Sequence, residues 1–127
     1  AIVGAGPAGL TAAFCLAREG YGVTVFEALD EPGGMLIAGI PKYRLPRDVL
    51  AKEIAVIERM GVEIRTGVRI GVDLTIDAIF DQGYEAVFLV TGAHRGLRLG
   101  IANEDAAGVR SAVEFLREAN MADAPPM

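Results

Sequence analysis

Gly4-Ala5-Gly6-Pro7-Ala8-Gly9 has the residue types and spacing of a phosphate-binding turn. It follows the β-branched pair Ile2-Val3 and opens a segment of helical character. Each glycine has its own task in such a turn. Gly4 permits the tight reversal, Gly6 lets the backbone approach a pyrophosphate, and Gly9 lets the helix lie close on the sheet. Pro7 and Ala8 fall in the first helical turn, where free N–H groups and the positive dipole end favour an anion. The missing N–H of Pro7 does no harm there. The competing reading is a generic strand-to-helix turn.

Glu27 supplies a second chemical signal. It closes the β-branched run Gly22–Glu27, which reads as the next strand. A carboxylate there can accept hydrogen bonds from both hydroxyls of an adenosine ribose, and it would repel the extra phosphate of NADP. The pair therefore points to FAD or NAD, against the plainer alternative of a solvated strand end. The Gly33-Gly34 pair beyond Glu27, followed by Met35, suits a backbone that runs against a flat ligand. The long stretch before the third strand favours FAD.

The remaining reactive residue types read as structural. His94 is the only histidine, and no nucleophile or acid partner is visible near it. Cys15 is expected to be a small, at least partly buried hydrophobe on the first helix. Asp73, Asp77 and Asp81 recur at i, i+4, i+8 and read as a solvated helix face, with Asp77 in the first turn. No catalytic residue and no metal ligand set is assigned.

These residues need a scaffold. The chain has 127 residues, 52% of them hydrophobic, and a net charge of −5. That length and apolar fraction suit one domain with a core and argue against disorder. The acidic balance argues against nucleic acid as a partner. A single cysteine excludes an internal disulfide and a C-x-x-C pair, and it fits a reducing, cytoplasmic compartment. No signal peptide or bilayer-spanning stretch is visible. Because Ala1 leads straight into a strand, and Met121–Met127 trail into Ala, Asp and Pro, the chain is expected to be cut from a longer one.

The order of elements predicts a doubly wound α/β sheet, all parallel, of Rossmann type. Helices are predicted over Pro7–Glu19, Pro46–Met60, Ile76–Phe80 and Val109–Asn120. Strands are predicted at Ile2-Val3, Gly22–Glu27, Val62–Arg65 and Ala86–Val90, with Val68–Ile70 as a short extended piece. Right-handed crossovers place the first strand in the middle of the sheet. The continuous apolar run Ala86–Val90 is expected to be a central strand covered on both faces. Ala28–Arg44 reads as an ordered loop. The last helix is expected to pack on the rest of a parent protein.

The segment Gly39-Ile40-Pro41-Lys42-Tyr43-Arg44-Leu45-Pro46 resembles the "GIPxxRLP" stretch of the glutamate synthase small subunit and its relatives. Those relatives are the flavin half of dihydropyrimidine dehydrogenase and the NAD(P)H-dependent ferredoxin oxidoreductase subunits. Thr91-Gly92-Ala93, Asn103-Glu104-Asp105 and Gly108-Val109 before Glu114-Phe115-Leu116 extend the likeness over nearly the whole chain. The resemblance implies an electron-transfer flavoprotein in which NAD(P)H reduces FAD. Electrons then pass through iron–sulfur clusters to a partner such as the glutamate synthase large subunit or ferredoxin.

Carried over, the resemblance implies that Gly4, Gly6, Pro7, Ala8 and Gly9 hold the pyrophosphate and Glu27 the ribose. Gly34 and Met35 approach the flavin half, with Met35 where the family usually has Leu. Arg44 matches an FAD-contacting arginine, although by itself it reads as a surface residue. Ile70 flanks the adenine, and Thr91-Gly92 is the turn beside the cofactor. Residues 1–102 would form the nucleotide-binding core, and residues 103–127 the turn, helix and tail leading to an absent NAD(P)H domain. That domain and the cluster domain have no counterpart in this sequence. Weak or no FAD retention is therefore expected. A stand-alone nucleotide-binding module and an NAD-dependent dehydrogenase domain are the alternatives.

Overall fold

The computed structural model describes residues 1–121. The elements in chain order are β1 (Ile2–Val3), α1 (Pro7–Arg18), β2 (Thr24–Phe26), α2 (Met35–Ala38), α3 (Arg47–Arg59), β3 (Glu63–Arg65), α4 (Ile76–Asp81), β4 (Phe88–Leu89) and α5 (Ala112–Met121). The four strands form one parallel sheet in the order β3-β2-β1-β4. The first strand is thus internal, and the chain winds outward from it in both directions, as the doubly wound reading requires.

The strands alternate sides with the period of two that pleating imposes. Ile2 and Val25 point to one face, where they pack with Leu10 and Ala13 of α1 and Leu50 and Ile54 of α3. Val3 and Phe26 point to the other face, against Ile79 of α4. Phe26 also meets Tyr84 edge to face, with ring centroids 5.9 Å apart. Burying these side chains contributes about 1.5–3 kcal/mol for each large apolar residue. The short strands β1 and β2 are thereby held by cores on both faces.

The helix ends follow from local chemistry. Pro46 precedes the first residue of α3, where a ring without an N–H is tolerated. Thr75 caps α4, its Oγ1 accepting the Ala78 N–H at 3.1 Å. Gly20, Gly61 and Gly83 follow α1, α3 and α4 with positive φ. That conformation ends a helix without a Cβ penalty.

Several expectations need correction. Within Ala86–Val90 only Phe88–Leu89 is strand, and it lies at the sheet edge with those two residues 47% and 55% exposed. Its ladder bonds, Phe88 N–H to Ala1 O and Val90 N–H to Val3 O, run to β1 alone. Among the described residues no strand pairs with its outer side, so the apolar run reports composition rather than a central position. The Ala28–Arg44 stretch contains the short helix α2. Val68–Ile70 is not a strand of the sheet; Ile70 makes one isolated parallel bridge with Leu74.

Cys15 is exposed, because α1 turns Leu10 and Ala13 inward and leaves Cys15 on its outer side. Asp73 is not on α4 but precedes it, its carboxylate accepting the Arg69 N–H at 2.8 Å. The last helix starts at Ala112 and packs on α2, not only on something outside the described chain. Buried Asn120 donates from Nδ2 to the carbonyl of Ala38 at 3.1 Å. That carbonyl closes α2 and has no partner within the helix. Val109 and Phe115 remain exposed. The Ala, Asp and Pro tail from residue 122 onward lies outside the described residues. No helix of the described chain is long and apolar enough to cross a membrane.

Candidate nucleotide site

Glu27 organises the site. It leaves the sheet at the end of β2, its N–H donating to Arg65 O at 2.8 Å and its own carbonyl accepting the Val68 N–H at 2.8 Å. Its side chain is 6% exposed. Burying a carboxylate is costly unless it is well hydrogen-bonded, and here both oxygens have backbone donors. The Ala5 N–H donates to Oε2 at 2.7 Å, and the Leu29 N–H donates to Oε1 at 2.9 Å. A carboxylate has about four lone-pair sites, so each oxygen keeps acceptor capacity for a further donor. Such a pair of oxygens matches the vicinal hydroxyls of a ribose.

The glycine turn stands beside it. Gly4 has φ +110°, and a Cβ there would come within 2.4 Å of Val90 O. A Cβ on Gly9 would lie 1.9 Å from Gly4 O and 3.3 Å from Ile2 Cγ2. These two glycines are demanded by packing. Gly6 differs: its backbone is extended, with φ −77° and ψ −177°, and a Cβ would meet nothing nearer than Gly34 Cα at 3.9 Å. The fold itself therefore leaves Gly6 free to vary. The space before it is where a diphosphate would approach the backbone. No side chain caps α1, and no acidic residue occupies its first turn. The helix mouth is left to an anion, and the residues present fit a dinucleotide phosphate.

Gly34 lies opposite. A Cβ on Gly34, at φ +55°, would fall 2.8 Å from Gly6 Cα. The Gly33 N–H donates to Ala5 O at 2.8 Å. The two glycine segments thus face each other through bare backbone. Gly34 leads into α2, whose first residue is half-buried Met35.

A cleft of about 430 Å³ brings together Gly4, Glu27, Ile70 and Thr91. Gly6, Pro7, Ala8 and Gly9 form the helix opening next to Gly4 and do not line that cleft; nor do Gly34, Met35, Arg44 and Gly92. Gly92, at φ +72°, turns the chain beyond β4 and lies near the His94 ring. Arg44 occupies an exposed turn between Pro41 and Leu45, where its N–H donates to Pro41 O at 2.9 Å.

The cleft residues with basic side chains, Arg69, His94 and Arg117, were not singled out as ligand contacts by the sequence. Arg117 lies on α5, which packs on α2 and is tied to Ala38 by Asn120 one turn later. The sequence carries no local pattern that reports such a long-range contact. Glu27 therefore shares the cleft with basic residues. Among the described residues no group of three or more His, Cys, Asp or Glu side chains could hold a metal.

Parallel order, internal first strand, glycine turn and acidic β2 terminus together define a Rossmann-like dinucleotide-binding unit. The family model for NAD(P)-binding Rossmann-like domains matches residues 2–39. Those residues cover β1, the glycine turn, α1, β2, Glu27 and α2. The NADP(+)-dependent formate dehydrogenase subunit beta of Moorella thermoacetica is 52% identical across 100% of this chain, which spans 18% of that protein. The glutamate synthase [NADPH] small chain of Escherichia coli (strain K12) is 40% identical over 91% of this chain, again with only 24% of its own length matched. The chain is homologous to one segment of this glutamate synthase small-chain family of oxidoreductases. Among solved structures, FprA of Mycobacterium tuberculosis in complex with NADPH superposes with a TM-score of 0.83. The match covers 94% of this chain and 28% of FprA at 24% identity, and it speaks for the fold.

Proposed function

We propose that this chain binds the adenosine diphosphate half of FAD within an NAD(P)H-dependent oxidoreductase. The observation that carries this reading is the Glu27 carboxylate, buried, held by the Ala5 and Leu29 amides, and lining a cleft beside the mouth of α1. Glu27 accepts the ribose hydroxyls. Gly6 admits the pyrophosphate, and the first-turn amides of α1, with Ala8 and Gly9, donate to it. Ile70 flanks the adenine, and Thr91 and Gly92 pass beside the cofactor where the chain leaves β4.

Bound FAD would supply the redox chemistry, accepting two electrons from reduced nicotinamide and releasing them singly. The chain's own residues bind and orient. Gly34 and Met35 run toward the flavin half, and Arg44 contributes a guanidinium that can fork onto a phosphate or a flavin carbonyl. The Glu27 charge disfavours an adenosine 2′-phosphate, so an NADPH donor would bind elsewhere in the longer protein. Residues 1–102 act as the nucleotide core, and beyond them α5 packs back on α2 and brings Arg117 to the cleft. Iron–sulfur clusters and an acceptor such as the glutamate synthase large subunit or ferredoxin belong to the whole assembly. A cytoplasmic setting suits the single cysteine.

Titration of the 127-residue chain with FAD, ADP, NADP and FMN, followed by amide chemical shifts, tests the reading. FAD and ADP should shift Ala5, Gly6, Ala8 and Leu29 saturably, though weakly. NADP and FMN should not. Stronger binding of NADP than of ADP, or no saturable shift with FAD, would overturn it.

A further inference from the structure

Arg47 opens α3 but does not behave as a surface helix residue. Its guanidinium donates to four main-chain carbonyls: Leu36 at 3.2 Å, Ile37 at 2.8 Å, Ile40 at 2.9 Å and Leu45 at 3.3 Å. Its Nε is buried without a hydrogen-bond partner. Among the described residues it has no carboxylate partner. A half-buried cation whose only partners are carbonyls is an expensive choice for mere packing. What it achieves is local. Leu36 and Ile37 lie in α2, where a cation suits the final carbonyls. Ile40 and Leu45 bracket the turn that carries Arg44, itself closed by the Arg44 and Leu45 N–H groups on Pro41 O at 2.9 and 3.1 Å.

We infer that Arg47 is a positioning residue for the nucleotide site, holding α2 and the Arg44 turn in one geometry so that Gly34 meets the glycine turn and Arg44 is presented to FAD. The inference rests on the FAD reading above. The chain of contacts is continuous. Arg47 fixes α2, α2 follows Gly34, and Gly34 touches Gly6. The same fork fixes the residues on either side of Arg44. Lysine cannot replace it fully, since an ammonium has three donors on a point charge where arginine has five in a planar fork.

The test uses the full 127-residue chain with Arg47→Lys, Arg47→Met, Arg44→Ala and the Arg47→Met/Arg44→Ala double variant. Without nucleotide, amide hydrogen exchange should rise roughly tenfold in Arg47→Met at Gly39, Ile40, Arg44 and Leu45. It should rise less in Arg47→Lys and stay unchanged at Val25 and Phe26. In FAD titrations, Arg44→Ala should weaken binding in the parent chain. It should cost less than about twofold in the Arg47→Met background, because an unpositioned Arg44 has little to lose. Unchanged exchange at Gly39–Leu45 would overturn the inference. So would a loss that spreads equally to Val25 and Phe26, or additive effects of the two substitutions. If the parent chain does not bind FAD, the nucleotide reading fails while the exchange measurement still decides the clamp.

Discussion

The Ala5 N–H donates to Glu27 Oε2 at 2.7 Å, joining the middle of the glycine turn to the end of the neighbouring strand. The carboxylate that lines the cleft is therefore also a tie between two loops. With the Leu29 N–H on Oε1, the side chain is fixed before any nucleotide arrives. A preorganised acceptor spares the ordering cost that a mobile side chain would meet on binding.

Glu27→Gln tests both roles. An amide has one oxygen, so it can satisfy one of the two backbone donors and must turn an NH₂ toward the other. Stability should fall by about 1–3 kcal/mol, the usual cost of leaving a buried donor unpaired. A urea midpoint measures it. ADP affinity should fall by roughly tenfold as well, since the amide loses a charged acceptor for the ribose. An unchanged midpoint would mean that the two hydrogen bonds contribute little.

Gly6→Ala and Gly9→Ala separate ligand from fold. A Cβ on Gly6 meets no atom closer than 3.9 Å, whereas one on Gly9 would strike Gly4 O at 1.9 Å. Gly6→Ala should leave the thermal midpoint within a degree or two, a change of under about 0.5 kcal/mol. It should nonetheless abolish measurable ADP binding. Gly9→Ala should lower the midpoint sharply or prevent folding, with overpacking costing upward of about 1–3 kcal/mol. Equal effects in circular dichroism melts would refute the distinction.

The readable part of this molecule was local. The α1 boundary, the internal first strand and the α3 period follow from short-range patterns of glycine, proline and apolar spacing. What escaped depended on distant partners. β4 has the composition of a central strand, but neighbours set position, and β1 is its only described one. Cys15 faces outward because α1 commits Leu10 and Ala13 to the core. Arg117 carries no motif, and only the tertiary path brings it to the Glu27 cleft; Arg47 carries none either, although its four carbonyls lie 2 to 11 residues before it.

Edge strand β3 carries a pH-dependent contact. Arg65 donates to both oxygens of Glu63, from Nε and Nη2 at 2.9 Å each. The hydrogen bonds from Arg65 hold the Glu63 carboxyl below its ordinary value of 4.5, with a smaller contribution from Thr24. A lowered folded pKa favours the folded state above the ordinary value, and the benefit is lost as pH falls through the lowered one. Glu63→Gln should therefore be slightly less stable than the parent near neutrality and converge with it in acid. The pair is solvent-exposed, so the gap should be small and shrink with salt. Denaturant midpoints across roughly pH 2 to 7 would show it, and a gap that widens in acid would contradict the sign.

Arg117 offers the sharpest check on the adenine end of the cleft. It is half-buried on α5, it lines the same cleft as Glu27 and Ile70, and among the described residues it has no ion-pair partner. A guanidinium so placed can lie flat on a purine, an interaction worth about 0.5–2 kcal/mol. Arg117→Ala should weaken ADP and FAD binding by roughly 2- to 30-fold, the equivalent of that range. Because the side chain is not engaged elsewhere in the described structure, the melting temperature should hardly move. Arg117→Gln keeps polarity without the charged plane and should lose nearly as much. Asn120→Ala supplies the control: it leaves Arg117 intact but frees α5 from Ala38, and it should lower ADP affinity only through that loosened helix. If Arg117→Ala binds ADP as tightly as the parent chain, the adenine does not rest against α5.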